Sequence, residues 1–421
     1  MSLAKRVLAG MLFLAVAIFV VLGGHLYIAQ RLVFDPDLQG AARALALGAI
    51  AFGFACLLLQ PFAERLVRPP WNRLVGWPAS IWMGVAFLLL LVLGAGDLLR
   101  FLAGGVAYAA GNQLPAFETS ARVQAALSAA FVAVAGAVAV GEALRPPRLV
   151  KLEIALARWP RALDGFRIAQ ISDIHIGPLR DRRFSRHLTE RVNALAPDLI
   201  CVTGDLVDGS ARLLADEVAP FGELRARHGA FFVTGNHDHY SGADAWVRVV
   251  AGLGLVPLRN SHVEIQRDGA AFTLAGVDDH RGGFGDGQRE DLPLALEGRD
   301  PALPVVLLAH DPNTFKRASR SGVDLQLSGH THGGQIWPFR HLVRLAVPFV
   351  AGRYTSHGAE LYVSRGTGFW GPPMRLFAPA EITEIRLTSL GSASLRAAVP
   401  LADSARDGPH LVPGADDVSG A

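Results

Sequence analysis

Four long apolar segments crowd the first 150 residues of this 421-residue chain and limit what it can fold into. They cover residues 7–29, 41–62, 77–99 and 123–144. Each is close to the roughly 20 residues that an α-helix needs to cross the hydrocarbon core of a bilayer. A mean hydropathy of +0.31 for the whole chain agrees with part of it lying in lipid. The sequence therefore predicts an N-terminal bundle of four transmembrane helices over residues 1–150.

The first segment could by itself be a signal peptide, because Lys5 and Arg6 precede it and "YIAQ" is a faint cleavage site. Three further apolar segments follow, which favours membrane insertion over export. Asp97 and Glu142 lie near predicted span ends, whereas an ion or proton pathway needs charged residues near the middle of the bilayer. We therefore expect a membrane anchor and not a transporter.

Basic residues beside the apolar segments predict the orientation of the bundle, because cytoplasmic flanks carry the excess of Lys and Arg. Eight such residues would share one side with both chain termini, and four would share the other. The first group is Lys5, Arg6, Arg65, Arg68, Arg73, Arg145, Arg148 and Lys151, and the second is Arg31, Arg43, Arg100 and Arg122. The sequence thus predicts a multi-pass protein of the inner (cytoplasmic) membrane whose C-terminal part is cytoplasmic.

Charge is divided unevenly along the chain. Residues 1–150 contain 11 Lys and Arg and 6 Asp and Glu, and residues 151–421 contain 29 and 31. The part outside the membrane is therefore slightly acidic despite a sequence pI of about 9.1, and no nucleic-acid partner is expected. The two cysteines, Cys56 and Cys201, lie in apolar runs where neither is placed for a disulfide, which fits a reducing compartment.

Beyond residue 150, short β-like runs alternate with helix-like stretches. The β-like runs are residues 167–172, 199–203, 230–234, 272–277, 305–309, 325–327 and 361–364. This alternation predicts an α/β domain with buried sheets over residues 151–387. Residues 143–151, "ALRPPRLVK", read as a juxtamembrane linker. Residues 388–421 lack periodicity and read as a flexible tail.

Polar residues able to bind a metal follow five of these β-like runs. They are Asp173 and His175 in "QISDIHIG", Asp205 in "VTGDLVDG", Asn236 with His237 and Asp238 in "VTGNHDHY", His310 in "LLAHDP", and His330 and His332 in "SGHTHGGQ". Ligands bind at the carboxyl ends of strands in open α/β sheets. This set of carboxylate, amide and imidazole groups is enough for two divalent cations, and Asp205 is the natural bridge between them.

The ordered blocks are similar to those of the calcineurin-like metallophosphoesterase superfamily. "GHTHGGQ" and "SRGTGFWGPPMRLFAPAEI" resemble its bacterial membrane-anchored subgroup, and the resemblance covers about residues 160–387. It implies a two-sheet αββα sandwich with the metals at its edge. It also implies two metal sites that share Asp205. Asp173, His175 and His332 complete the first site, and Asn236, His310 and His330 complete the second.

For catalysis, the resemblance implies that His237 donates a proton to the leaving group or stabilises the developing charge, and that Asp238 orients its imidazole. The expected reaction is hydrolysis of a phosphodiester or pyrophosphate bond by metal-bound hydroxide. Lipid-linked substrates are candidates because a short linker confines the domain to the membrane surface. Manganese is the first choice of metal and iron or zinc the alternatives, since all three suit these ligands.

Other interpretations stay open at this point. The protein could be a metal-binding membrane sensor or scaffold with a non-catalytic phosphoesterase fold, or it could be a nuclease. The apolar stretch of residues 335–354, which contains Arg340, Arg344 and Arg353, also has two interpretations. It either completes the core or forms an interfacial flap beside the metals.

Overall fold

The computed structural model describes residues 11, 19–112, 117–280 and 289–391. In these ranges an apolar helical bundle precedes two β-sheets. The first predicted apolar segment, residues 7–29, lies partly outside the described ranges. Most of the predicted tail, from residue 392 onward, also lies outside them.

Three described helices are long and apolar enough to cross a membrane. They are α2 over Gly40–Leu66, α3 over Arg73–Ala109 and α4 over Phe117–Ala143, and they match the last three of the four predicted segments. A shorter apolar helix, α1, covers Phe19–Phe34. The described residues thus contain three candidate spans where the sequence predicted four.

Two six-stranded sheets form the rest of the described chain. In the first, the order is β1-β12-β2-β3-β4-β5, and the strands are Arg148–Leu156, Glu381–Ser389, Phe166–Ile171, Leu199–Thr203, Ala230–Val233 and Val256–Pro257. In the second, the order is β10-β11-β9-β8-β7-β6, and the strands are Gly352–Ser356, Ala359–Val363, Leu325–Ser328, Val305–Leu308, Ala270–Gly276 and Ser261–Arg267. Strands β2, β3 and β4 are parallel, as are β7, β8 and β9.

The sheets pack face to face because their strands are apolar on both sides. On β3, Leu199 and Cys201 join the layer between the sheets, whereas Ile200 and Val202 face the helices outside the first sheet. The helices of this part are α5 (Arg182–Ala194), α6 (Ala211–Val218), α7 (Asn236–Tyr240), α8 (Ala243–Gly252), α9 (Leu292–Leu296), α10 (Phe315–Ala318) and α11 (Arg340–Ala346). The predicted αββα sandwich is confirmed.

Strand β1 occupies the second half of the stretch that the sequence predicted as a linker. Only residues 144–147 separate α4 from β1. β1 pairs in parallel with β12 along its whole length, from Arg148 opposite Glu381 to Leu156 opposite Ser389. This pairing also takes residues 388–389, which the sequence assigned to the tail, into the first sheet.

The sheet domain is docked directly on the bundle. Met374, which is 1% exposed, packs in one cluster with residues of α3 and α4. The backbone N–H of Arg375 donates a hydrogen bond of 2.9 Å to the carbonyl oxygen of Ala139 in α4. At the start of α3, Arg73 Nη2 lies 3.2 Å from Asp181 Oδ2. The domain therefore sits against the bundle as well as being linked to it.

Candidate metal centre

The predicted ligand residues follow the carboxyl ends of five strands. Asp173 and His175 follow β2, Asp205 follows β3, Asn236 follows β4, His310 follows β8, and His330 and His332 follow β9. Parallel neighbours end at the same edge of a sheet, and the two sheets are stacked. The fold therefore brings five separate turns to one edge of the sandwich.

The backbone at these turns is unusual. Five of the seven predicted ligands have a left-handed backbone conformation. They are Asp173, His175, Asp205, His330 and His332, with φ values of 51°, 52°, 51°, 75° and 51°. Residues other than glycine rarely adopt positive φ, and such strain concentrates at functional sites. The turns are packed so closely that a Cβ on Gly235 would lie 2.2 Å from Asp205 Oδ1.

A first cluster joins Asp173, His175 and His332. The Nε2 atoms of His175 and His332 lie 3.1 Å apart, and His332 Nε2 lies 3.3 Å from Asp173 Oδ1. Each residue offers one ligand atom within 4.8 Å of the others. All three side chains are buried. This is the first of the two ligand groups that the sequence resemblance implied.

A second cluster joins Asp205, His310 and His330. His310 Nε2 lies 3.1 Å from Asp205 Oδ2 and 3.3 Å from His330 Nδ1. Asp205 Oδ2 also lies 3.7 Å from His175 Nε2 of the first cluster. One carboxylate oxygen is thus near the nitrogen ligands of both groups.

Asn236 is the remaining ligand that the resemblance implied for the second site. The surroundings of its amide oxygen bear on that role. Asn236 is 5% exposed, and its Oδ1 is buried without a hydrogen-bond partner. A buried acceptor with no donor is costly. A cation would satisfy it, so the residue fits a ligand role better than a purely structural one.

Burial opposes protonation of His310, but the charge of Asp205 raises its pKa well above the usual value. The other groups of the clusters suit a cation. Burial, reinforced by His310, lowers the pKa of His330, and burial with nearby His175 and Arg375 lowers that of His332 well below its usual value. Both imidazoles are then neutral, the form that binds metals. Burial opposes ionisation of Asp205, but His310 and His237 hold its pKa well below the usual range.

His237 is held by a carboxylate that the sequence analysis did not select. Its Nδ1 lies 2.8 Å from Asp208 Oδ1, and the same oxygen lies 2.9 Å from His175 Nδ1. Burial would lower the pKa of His237, but the charge of Asp205 and the contact with Asp208 outweigh burial and raise it to about 9. Since Nδ1 is engaged, Nε2 is the nitrogen left to meet a substrate.

The prediction that Asp238 orients His237 is wrong. Asp238 is fully buried, and its two oxygens accept backbone N–H groups of Leu206, Val207 and Gly235. It therefore fixes the turns after β3 and β4 and does not contact the His237 ring. Adjacent residues on the short helix α7 point in different directions, which is why sequence adjacency misled here.

Asp208 and Trp370 are the two site residues that the sequence analysis missed. Asp208 stands in the quoted block "VTGDLVDG", three residues after Asp205, so its spacing was the available signal. The ring centroid of Trp370 lies 5.7 Å from that of His237, and the indole is 48% exposed. For Trp370 the available sequence signal was the glycine-rich stretch around it.

Residues 335–354 contain both buried and exposed parts. Ile336, Val347 and Val350 are buried and complete the core. Between them, helix α11 buries none of its residues, and the side chains of Leu342 and Leu345 are 56% and 85% exposed. The segment thus combines core anchors with an exposed helix beside the candidate metal centre.

The family model and the relatives that match this chain agree on one protein family. Residues 166–334 match the family model described as calcineurin-like phosphoesterase. The chain is 38% identical over 300 residues to a transmembrane protein with metallophosphoesterase domain from Bos taurus, covering 67% of each chain. It is 30% identical over 282 residues to metallophosphoesterase YkuE of Bacillus subtilis, covering 63% of this chain and 94% of that protein.

A metallophosphoesterase of Helicobacter pylori strain J99 is 35% identical over 248 residues, which cover 58% of this chain and 65% of the relative. The chain spans about two thirds of the length of the bovine and Helicobacter relatives. The residues that match the family model include all five turns that carry the clusters.

Proposed function

Because this chain belongs to the calcineurin-like phosphoesterase family and is a membrane-associated metallophosphoesterase, we propose that it is a dinuclear metal-dependent hydrolase of phosphodiester or pyrophosphate bonds. The observation that carries the proposal is the convergence of two ligand groups around Asp205. Asp205 Oδ2 lies 3.1 Å from His310 Nε2 and 3.7 Å from His175 Nε2. A bridging carboxylate is what a pair of closely spaced metal ions requires.

In this proposal Asp173, His175 and His332 hold one divalent cation, and Asn236, His310 and His330 hold the other. Bound there, the cations would polarise the phosphoryl oxygens and lower the pKa of an attacking water. Manganese is the preferred metal, with iron or zinc as alternatives, because no thiolate is present among the ligands. The buried and otherwise unsatisfied Oδ1 of Asn236 supports the ligand set.

His237 is the proposed proton donor. In the hydrolysis the attacking water gives up a proton to solvent and its oxygen bonds to phosphorus, while the P–O bond to the leaving group breaks. The leaving oxygen takes a proton from His237, which then regains one from solvent. Asp208, in contact with Nδ1, directs Nε2 toward the substrate and stabilises the charged imidazole. Asp238 acts indirectly, because it fixes the turns that carry Asp205 and His237.

The substrate is proposed to be presented at the membrane, with lipid-linked phosphoesters as candidates. The supporting observation is the docking of the sheet domain on α3 and α4, which leaves only residues 144–147 between the bundle and β1. Such a domain cannot leave the bilayer surface. We propose a multi-pass inner-membrane location with the catalytic domain in the cytoplasm, because Arg73, Arg145 and Arg148 lie at the domain-facing ends of the helices.

Purified full-length protein in detergent with Mn²⁺ tests the proposal. It should hydrolyse bis-p-nitrophenyl phosphate faster than p-nitrophenyl phosphate, and His237→Ala should lower kcat by about 10²–10⁴-fold while retaining bound metal. Metal binding without turnover of either ester would contradict the enzyme and favour the sensor or scaffold. Preferential cleavage of single-stranded DNA over both esters would favour the nuclease.

A further inference from the structure

A cavity of about 510 Å³ lies between the candidate metal centre, α3 and α11. We call it the α3–α11 groove. His330 and His332 contribute to its lining, and so do Met83 and Phe87 of α3. Its volume falls within the roughly 300–1,000 Å³ of small-molecule sites. It is therefore large enough for a ligand that reaches from the metal centre to a membrane-spanning helix.

The lining is divided into a polar and an apolar part. The polar side chains belong to residues 330–335, at the metal centre. Beyond them the lining is apolar, with Ile336, Phe339, Leu342 and Val343 on one side. A ligand that matches this division carries a polar phosphate group at one end and a hydrocarbon chain at the other.

The apolar part of the groove shares a face of α3 with an exposed leucine. Met83, Phe87 and Leu90 follow at i, i+4 and i+7 and therefore share one face of α3. Leu90 is 39% exposed on a helix that is a candidate span. The ring of Phe87 meets that of Phe339 edge to face, with centroids 5.8 Å apart. This face would give a hydrocarbon chain an apolar route between a bilayer and the groove.

Helix α11 has the composition of an interfacial helix. It buries none of its residues, it exposes Leu342 and Leu345, and it contains no acidic residue. Arg340 and Arg344 are both exposed and lie one turn apart. Apolar and basic side chains together on a short exposed helix suit the boundary between acyl chains and anionic headgroups.

We propose that the α3–α11 groove binds the hydrocarbon chain of a lipid phosphodiester whose phosphate lies at His330 and His332. This inference rests on the proposed function, because it takes the same metal centre as the place of hydrolysis. The lipid enters sideways along α3, and Arg340 and Arg344 attract its anionic headgroup. A soluble nucleotide would leave the apolar part of the groove in contact with water and would gain nothing from it.

Alkyl p-nitrophenyl phosphate diesters test the proposal, because ethyl and hexyl esters share the phosphorus centre and the leaving group. With full-length protein in lipid nanodiscs and Mn²⁺, kcat/KM for the hexyl ester should exceed that for the ethyl ester by at least about tenfold, since each buried methylene contributes. Equal hydrolysis of both esters would contradict lipid binding in the groove but would leave the proposed function intact. Hydrolysis of neither, with metal bound, would overturn both.

A matched pair of variants separates the groove from general partitioning into the nanodisc. Val343→Trp places a large ring in the groove and should bring the hexyl-to-ethyl ratio to within about twofold of one. Val134→Trp changes a residue on α4 that is 67% exposed and absent from the groove lining. Its ratio should equal that of the unmodified protein. The same drop in both variants would contradict the proposal.

Photocrosslinking gives a readout that depends neither on turnover nor on a folded variant. The unmodified full-length protein in nanodiscs would be irradiated with hexadecyl phosphate that carries a diazirine on its chain. Crosslinks should map to residues 336–347 and to Met83 or Phe87. Crosslinks confined to other lipid-facing positions of α2 and α4 would overturn the proposal.

Discussion

At the residue scale, the proposed proton donor His237 depends on the carboxylate that contacts its ring. Asp208 contacts both His237 and His175 through one oxygen, whereas Asp238 accepts only backbone N–H groups. The first arrangement orients two imidazoles at the reacting centre, and the second stabilises turns. Replacing Asp208 should therefore mainly affect catalysis, whereas replacing Asp238 should mainly affect stability.

Asp208→Asn should lower kcat on bis-p-nitrophenyl phosphate by roughly 10–100-fold with little change in thermal stability, because it removes a carboxylate that orients site histidines. Asp238→Asn should lower the free energy of unfolding by about 1–3 kcal/mol, because its amide would turn a donor toward a buried N–H. Steady-state kinetics and thermal unfolding of both variants check this. Wild-type kcat in Asp208→Asn would contradict the assignment.

The seven predicted ligand residues come together in the structure because each stands just after an apolar β-like run, and strand ends converge. It could not locate the partner of His237, because that contact joins the turns after β3 and β4 through side-chain directions. The contact of His237 with Trp370 likewise joins positions far apart in the chain. Such contacts follow from tertiary packing and leave little trace in local sequence patterns.

At the element scale, helix α3 and the loop that carries Met374 join the two parts of the molecule. A Cβ on Gly84 would lie 2.4 Å from Met374 Sδ and 3.0 Å from Pro372 Cβ. Met374 is almost fully buried, so it has little room to move. The next residue, Arg375, is buried and donates to the carbonyl oxygens of Gly368 and Ala378 near the site. Gly84 thus permits a contact between the bundle and the loop of residues 368–378 beside the candidate metal centre.

Gly84→Ala should lower the midpoint of thermal unfolding in detergent, since overpacking of this kind costs about 1–3 kcal/mol. Gly94→Ala is the matched control, because Gly94 lies on the same helix with no atom within 4 Å of an added Cβ. The control should keep the midpoint or raise it slightly. Equal midpoints in the two variants would show that this contact does not hold the domain on the bundle.

Strand and helix positions were predicted unevenly, for physical reasons. Central strands such as β3 are almost entirely apolar and are flanked by turns, so their bounds were predicted from the local sequence pattern. Strands β1 and β12 alternate partly exposed residues with buried ones, and β1 follows two prolines. Their stability comes from pairing with each other across more than 200 positions, which local patterns do not reveal. The α3–α11 groove forms where the sheet domain packs on the bundle, so local sequence patterns do not reveal it either.

At the scale of the whole molecule, orientation decides which membrane leaflet supplies the substrate. Both native cysteines are buried, and burial raises the pKa of the Cys201 thiol, which keeps it unreactive. Single cysteines introduced at exposed positions can therefore report the side of the membrane. Glu153 lies on the sheet domain, and Gln39 lies at the far end of α2.

In intact bacterial cells, a membrane-impermeant maleimide should label Gln39→Cys, whereas Glu153→Cys should be labelled only after lysis. This pattern follows from the basic residues at the domain-facing helix ends, which favour the cytoplasm. The unmodified chain is the control and should remain unlabelled in both conditions. Labelling of Glu153→Cys in intact cells would place the catalytic domain outside the cytoplasm.

In the proposed site, seven side chains from five turns hold two metal ions with Asp205 between them. Its most direct test is an anomalous difference map from crystals of manganese-loaded full-length protein, supported by the metal content of the same sample. The proposed site should hold two ions per chain, roughly 3.5–4 Å apart, one beside Asp173, His175 and His332 and one beside Asn236, His310 and His330. A single ion, or two ions away from Asp205, would contradict it.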